Sequence, residues 1–335
     1  MRIDVGDIHS TVITPDFKAI GWVRRICRAR PNGYFFMPKY KKGVWDGYVS
    51  LMAGPTSFPT GLLGMVVGDL RKRGYSVEVY GLPPRNLLQA EANLLKGIAL
   101  RDYQLRAVNK LLDAGRGVAK MATNSGKTEV MAALVKVLDR QSIVLVHRKE
   151  LLYQTQQRFQ KRLGVPVGII GDNENKPQRI TIAMIQTLAN IYEQPSFREW
   201  IAGNEVLLVD ECHNASSDQF MKVLSSIPGH WRYGFSGTPL KYDDLADLQL
   251  MAATGRIIVD VGNEQLIQQG YSAKPIIHVH IVEDLQEAND DMPFSEAYDR
   301  FIVHNEQRNA IIKEVASEVT GITLIIVSRV EHGTL

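Results

Sequence analysis

The chain has 335 residues, 45% of them hydrophobic, and 39 Lys+Arg against 36 Asp+Glu leave a formal net charge of +3. That length holds about two or three domains with ordinary apolar cores, and the near balance of charge confines any nucleic-acid surface to a local patch. Two cysteines, Cys27 and Cys212, exclude a disulfide framework and a cysteine-based zinc site, while the lack of a signal-peptide core or a membrane-length apolar run gives a soluble, cytoplasmic reading with no membrane partner.

Residues 1–84 predict a small α+β domain in the order β-α-β-β-α-β, a split βαβ arrangement. A strand over 8–13 leads to Thr14-Pro15-Asp16, which caps a helix running to about Arg28. Strands follow over 34–37 and 48–52, then a helix over 62–73 that stops at Gly74, and a last strand over 76–80. From Phe17 to Trp45 there is no Asp or Glu, while Lys18, Arg24, Arg25, Arg28, Arg30, Lys39, Lys41 and Lys42 are interleaved with Trp22, Tyr34, Phe35, Phe36, Tyr40 and Trp45. Cations neutralise phosphates, and aromatics either stack on bases or fill a small core. The nucleic-acid reading takes Arg24, Arg25, Arg28, Lys39, Lys41, Lys42 and Trp45 as its contacts.

Residues 85–97 read as a linker and 98–282 as an α/β domain. Leu100-Arg101-Asp102-Tyr103-Gln104 opens an amphipathic helix over 105–112, and Gln104, with one amide donor and one acceptor, can pair with an adenine edge. The stretch from Val118 to Thr128 is a strand that breaks into a small-residue loop and enters a helix over 129–138. Thr123, Asn124, Ser125 and Gly126 offer backbone N–H groups to a triphosphate, Lys127 a cation for its β- and γ-phosphates, and Thr128 a hydroxyl for Mg²⁺. Met121 and Asn124 stand where the usual phosphate loop has glycines.

Apolar strands over 142–147, 180–184, 205–209 and 231–235 each meet a polar turn: Arg148-Lys149-Glu150, Gln186-Thr187, Asp210-Glu211-Cys212-His213 and Ser236-Gly237-Thr238. Alternation of that kind predicts a parallel sheet with helices on both faces and ligands at the carboxyl ends of the strands. Asp210 can hold Mg²⁺ opposite Thr128, and Glu211 can orient or deprotonate an attacking water. His213, structural or functional, would bridge the Asp-Glu turn to Ser236 or Thr238. Cys212 reads as a small buried residue.

Together, Arg101 with Gln104, residues 122–128, residues 147–151, Gln186-Thr187, Asp210-Glu211-Cys212-His213 and Ser236-Gly237-Thr238 resemble the ordered motif set of superfamily 2 helicases. The segments Tyr40-Lys-Lys-Gly-Val-Trp-Asp-Gly47 and Phe58-Pro-Thr-Gly-Leu-Leu-Gly64 resemble UvsW-type phage helicases, which remodel recombination intermediates and stalled forks. The resemblance implies a RecA-like ATPase domain, with ATP and Mg²⁺ as cofactors and branched or forked DNA as partner. It also implies recombination or replication proteins nearby and, for a phage gene, the host cytoplasm. It makes Lys127 and Thr128 phosphate and Mg²⁺ ligands, Asp210 the second metal contact, Glu211 the catalytic base, and Arg101 and Gln104 adenine contacts. Ser236 and Thr238 become the coupling elements, and Arg148, Gln186 and Thr187 contacts to the tracking strand.

Beyond a strand over 276–281, residues 283–299 carry seven acids and no base, a solvated linker to about residue 304. A helix over 305–320 and a strand over 322–327 resemble the opening of a second RecA-like domain. No later motif supplies the family's arginine finger, worth about 10³–10⁵ in rate in GTPases. The expectation is therefore a monomeric, truncated helicase with weak motor activity. A branched-DNA-binding module with a non-productive nucleotide site, or an RNA helicase, are the alternatives.

Overall fold

Unbroken apolar runs set the larger sheet, because a strand covered on both faces has no solvent side toward which to alternate. The computed structural model describes residues 1–82, 88–214, 218–240, 243–282 and 292–334. They fall into two compact units, Met1–Ala273 and Lys274–Leu335.

The chain enters the first unit through β1 (Arg2–Val5), β2 (His9–Ile13), α1 (Phe17–Ile26), β3 (Arg28–Ala29), α2 (Pro38–Lys41), β4 (Val49–Ser50), β5 (Ser57–Pro59), α3 (Leu63–Lys72) and β6 (Glu78–Tyr80). Four of these strands form a sheet in the order β5-β2-β1-β6, and β3 pairs with β4 separately. Asp16 caps α1 by accepting from the N–H groups of Lys18 and Ala19. The two helices bury Ala19, Val23, Val66 and Leu70 against Ile3, Val12 and Phe58 of the sheet.

The small domain departs from the expected order, and β3 and β5 were not foreseen. The strand β1 was not foreseen, since only Ile3 of its four residues is buried and the rest carries no alternation long enough to read. The segment 34–37 is no strand: Tyr34–Phe36 is a 3₁₀ turn. Gly33, at φ 70°, turns the chain before it, Pro38 ends it, and its rings stack on one another instead of on a core, with Phe35 and Phe36 centroids 4.3 Å apart.

The larger sheet follows: α4 (Asp102–Ala114), β7 (Arg116–Met121), α5 (Lys127–Leu138), β8 (Ser142–Val146), α6 (Lys149–Leu163), β9 (Gly168–Gly171), β10 (Glu174–Lys176), β11 (Ile180–Met184), α7 (Ile185–Ile191), α8 (Pro195–Ala202), β12 (Val206–Asp210), α9 (Asp218–Ser226), β13 (Trp231–Ser236), α10 (Asp244–Thr254), β14 (Ile257–Val261) and α11 (Asn263–Gln268). The strand order is β10-β9-β11-β8-β12-β13-β7-β14, with β10 and β9 antiparallel and the other neighbours parallel. Side-chain alternation splits each strand between two layers. Val144, Val146, Leu208 and Phe235 meet α4, α5 and α6, while Ile143, Leu145, Leu207 and Val209 meet α7, α9 and α10.

Part of the predicted linker belongs to this core. Ala90, Leu95 and Leu100 are buried in it, and the Ala90 N–H donates to Asn109 Oδ1 at 2.8 Å. The small sheet also joins the larger α/β part directly, because Leu248 and Ala252 of α10 complete its core. Gly61 makes that approach possible: a Cβ there would lie 2.1 Å from the Met251 carbonyl oxygen and 2.5 Å from that of Ala252.

In the second unit α12 (Phe294–Tyr298) and α13 (Glu306–Glu318) are helical, with Asn305 capping α13 through the Arg308 N–H. Part of the predicted acidic linker is thus α12, and residues 283–291 lie outside the described residues. The strands expected over 276–281 and 322–327 do not form. A strand needs a neighbour for its backbone groups, and among the described residues this unit has no sheet; Ile322, Leu324 and Ile326 are exposed. Among the described residues no helix is long and apolar enough to cross a membrane.

Gly61→Val should separate the small sheet from α10 and lower the unfolding free energy by about 1–3 kcal/mol, the usual cost of overpacking. Urea denaturation measures it, and an unchanged midpoint would show that the contact contributes nothing.

Candidate active site

Four parallel neighbours, β8, β12, β13 and β7, end on the same side of the sheet, so the polar turns that follow them form one row. The phosphate-loop candidate leaves β7 at Met121 and enters α5 at Lys127. Met121 is fully buried, so the residue standing in place of a glycine points into the core and not into the loop. Asn124, at φ 64°, adopts the left-handed conformation that Asn tolerates. Gly126, at φ 78°, has no room for a side chain, since a Cβ would lie 2.3 Å from Gln104 Nε2.

The loop is propped from beneath. Tyr103 Oη and Gln104 Nε2 both donate to the Ser125 carbonyl, at 2.8 and 2.9 Å, and Gln104 Oε1 accepts from the Arg101 N–H at 2.9 Å. Both ends of the buried Gln104 amide are therefore engaged within the chain. Arg101 lies 3.0 Å from Tyr103 Oη with its guanidinium 4.0 Å above the Tyr271 ring. Sequence reasoning missed Tyr271. It stands far along the chain from Arg101, and no local signal distinguishes it.

At the loop's mouth Lys127 Nζ meets Glu211 Oε1 at 2.8 Å, the two side chains being 16% and 27% exposed. Glu211 takes φ 48°, a left-handed conformation that strains a non-glycine residue by about 1–3 kcal/mol. Its N–H donates to Asp210 Oδ1 at 3.0 Å. Its other oxygen, Oε2, lies 3.2 Å from His213 Nδ1 and accepts from the Ser236 hydroxyl at 3.4 Å. His213 Nδ1 is 2.9 Å from Ser236 Oγ, which accepts the Thr238 N–H at 3.1 Å. The expected bridge from the Asp-Glu turn to Ser236 is present, and it runs through Glu211 as well as His213.

Burial pushes Asp210 up to about 6, helped by the Glu211 charge and opposed by Lys127. Burial raises the Cys212 thiol far enough to keep it protonated, and burial followed by the Arg148 charge lowers His147.

The loop fits a phosphate. Ser125 Oγ is buried and, among the described residues, has no hydrogen-bond partner. The first-turn N–H groups of α5 lack intrahelical acceptors by geometry, and Gly126 keeps the approach clear. Thr128, in that first turn, and Asp210 are the residues that would hold a hard cation beside it.

The expected strand contacts lie on the same edge. Arg148 is exposed at the start of α6. Gln186, which donates to the His147 carbonyl at 3.1 Å, and Thr187 open α7. In the small domain Arg24, Arg25, Lys39, Lys41 and Lys42 are exposed. Arg28 differs from them, for it stacks 4.2 Å over Tyr48 and lies 3.6 Å from Asp46. Trp45 is half-buried and donates its indole N–H to the Tyr48 carbonyl at 2.7 Å.

A lysine loop at a helix start, facing an acidic strand end across a parallel sheet, defines a P-loop NTPase of RecA-like fold. Residues 97–241 match the protein family described as type III restriction enzyme, res subunit. The chain is 29% identical over 153 residues to the DNA 3'-5' translocase XPB2 of Sulfurisphaera tokodaii, covering 45% of this chain and 33% of that one. It is 22% identical over 262 residues to the ATP-dependent DNA helicase uvsW of Enterobacteria phage T4, covering 71% and 52%. The crystal structure of the UvsW helicase from bacteriophage T4 superposes with a TM-score of 0.62 at 21% identity, over 77% of this chain and 99% of that one. Over its matched segment the chain is similar to superfamily 2 helicases, and it spans about half or less of the length of these curated relatives.

Because the folded pKa of Asp210 lies above its ordinary 3.8, the stability linked to this group is full below about pH 4 and is lost as pH rises through about 6. The gap corresponds to roughly 3 kcal/mol. Asp210→Asn should therefore stabilise the nucleotide-free protein by up to about 3 kcal/mol near pH 8, with the gain vanishing near pH 4. Urea unfolding at the two pH values checks this; a gain independent of pH would contradict it.

Proposed function

We propose that this chain binds MgATP in the 123–128 loop and hydrolyses it to move on DNA, acting on branched or forked duplex. The observation that carries the reading is the convergence of Lys127, Thr128, Asp210 and Glu211 at one sheet edge, with Lys127 and Glu211 already in contact. A γ-phosphate arriving beside Lys127 competes for that ammonium. Glu211, once released, can accept a proton from the attacking water. Mg²⁺, held by Thr128 and Asp210, would supply neutralisation of the phosphate oxygens.

Ser236 donates to Glu211, His213 lies beside both, and the Thr238 N–H donates in turn to Ser236, so this chain of contacts would register which partner the carboxylate has. Arg101 and Tyr271 offer a flat cationic face for the base beside the loop. Arg148, Gln186 and Thr187 would follow the tracking strand, and the exposed cations of the small domain would hold the duplex. DNA is favoured as the track because the relatives named above are a DNA translocase and a DNA helicase.

ATP hydrolysis measured with no nucleic acid, linear duplex, a four-way junction and matched RNA tests the reading. The junction should stimulate most. Glu211→Gln should lose about 10²–10⁴ in kcat and Lys127→Ala should abolish turnover, both while binding to the junction persists. Equal stimulation by RNA, or a fully active Glu211→Gln, would sink it. If Lys18, Arg24, Arg25, Lys39, Lys41 and Lys42 all touch duplex phosphates, log affinity should fall against log salt with a slope of about −5; a slope near −1 would remove most of them from the interface.

A further inference from the structure

The connection from β3 to β4 holds its most apolar residues away from every core. Phe35 is 51% exposed, Phe36 68% and Val44 76%, with Met37 beside them. Scattered exposed apolar residues need no explanation, but a contiguous apolar tip does.

This tip is built, not loose. Within it the Phe36 N–H donates to the Gly33 carbonyl, the Lys41 N–H to Met37 and the Val44 N–H to Lys39, at 2.9, 3.1 and 3.1 Å. At its base the Arg30 guanidinium lies 4.5 Å from the Tyr34 ring and 4.4 Å from that of Tyr48. It also donates to Tyr34 Oη at 3.0 Å and to the Asp46 carbonyl at 3.1 Å. Tyr40 packs edge-on against Tyr34 at 4.9 Å. The Asn32 N–H donates to Asp243 Oδ2 at 3.1 Å, and Asp243 is the N-cap of α10 in the motor. The projection is thus fastened to the element that follows Ser236-Gly237-Thr238.

Its surface chemistry is cationic and aromatic. Lys39, Lys41 and Lys42 are exposed around the tip, with Lys41 Nζ 5.8 Å from the Phe36 ring, and no acid occurs from Phe17 to Trp45. Base faces left open where a duplex divides are flat, apolar and flanked by phosphates, which complements this arrangement in shape and in charge.

We propose that residues 33–44 form a base-stacking wedge: Phe35 and Phe36 cover the open base faces at a DNA branch point while Lys39, Lys41 and Lys42 hold the adjoining phosphates. The proposal rests on the reading that the chain acts on DNA and goes beyond it by naming the element that meets the branch.

A fork carrying 2-aminopurine at the branch, bound by the full chain, tests it. The fluorescence should change on binding, and the Phe35→Ala/Phe36→Ala double variant should lose that change together with about tenfold or more of the affinity for forked over linear DNA. Phe35→Trp/Phe36→Trp should retain both. An unaltered thermal midpoint in the alanine variant confirms that folding is not the cause.

An alanine variant that keeps the signal and the fork preference overturns the wedge alone, leaving the DNA-motor reading standing. Wild-type protein that ignores forked DNA overturns both. Phe-dependent binding to phosphatidylserine vesicles, with fork binding indifferent to the two rings, would make the tip a membrane contact and overturn the wedge.

Discussion

The ion pair between Lys127 and Glu211 is the interaction on which the site depends. Two charges removed this far from water must neutralise one another or something else. The strand order β12-β13-β7 brings the turn after β12 to the loop after β7, where Lys127 Nζ and Glu211 Oε1 meet at 2.8 Å. The same proximity explains the rest of the row. Glu211 reaches the lysine from a strained backbone, and its charge helps to raise Asp210. Its second oxygen collects His213 and Ser236. A nucleotide that engaged Lys127 would therefore alter the contacts that Glu211 makes with His213 and Ser236.

The small domain is placed to feel such a change. Leu248 and Ala252 of α10 sit in its core, and Asn32 bonds to the α10 cap. At the opposite ends of the strands, Arg116 donates to the Asp7 carbonyl at 3.0 Å, and His230 Nδ1 lies 3.2 Å from Asp7 Oδ1. Arg232, wholly buried, donates to the carbonyls of Ala253, Ile227 and Leu224 at 2.7 Å each, which ties β13 to the end of α10 and the turn after α9. Ser236 and α10 are thus joined to the same strand, and the small domain and the larger sheet belong to one compact unit.

The phosphate-loop side was legible because phosphate and cation binding demand particular residue types at short spacing. Lys127 with Thr128, and Asp210 with Glu211, each follow an apolar strand, and parallel pairing then brings the pairs together without further information. The bridge from His213 to Ser236 followed from the same logic. What the sequence hid depends on distant partners. Nothing near Gln104 says that its amide is held by Ser125 and Arg101, and nothing near Arg101 points to Tyr271. The apolar segments 34–37, 276–281 and 322–327 have strand-like composition, yet composition cannot supply a neighbouring strand.

The central claim is that the Lys127–Glu211 pair occupies the place that a triphosphate takes. The most direct test is the equilibrium affinity of Glu211→Gln and wild-type protein for a non-hydrolysable ATP analogue. Removing the competitor for Lys127 should tighten binding by roughly three- to tenfold, as expected for a partly exposed ion pair. Equal or weaker binding by Glu211→Gln would show that the pair does not compete with nucleotide.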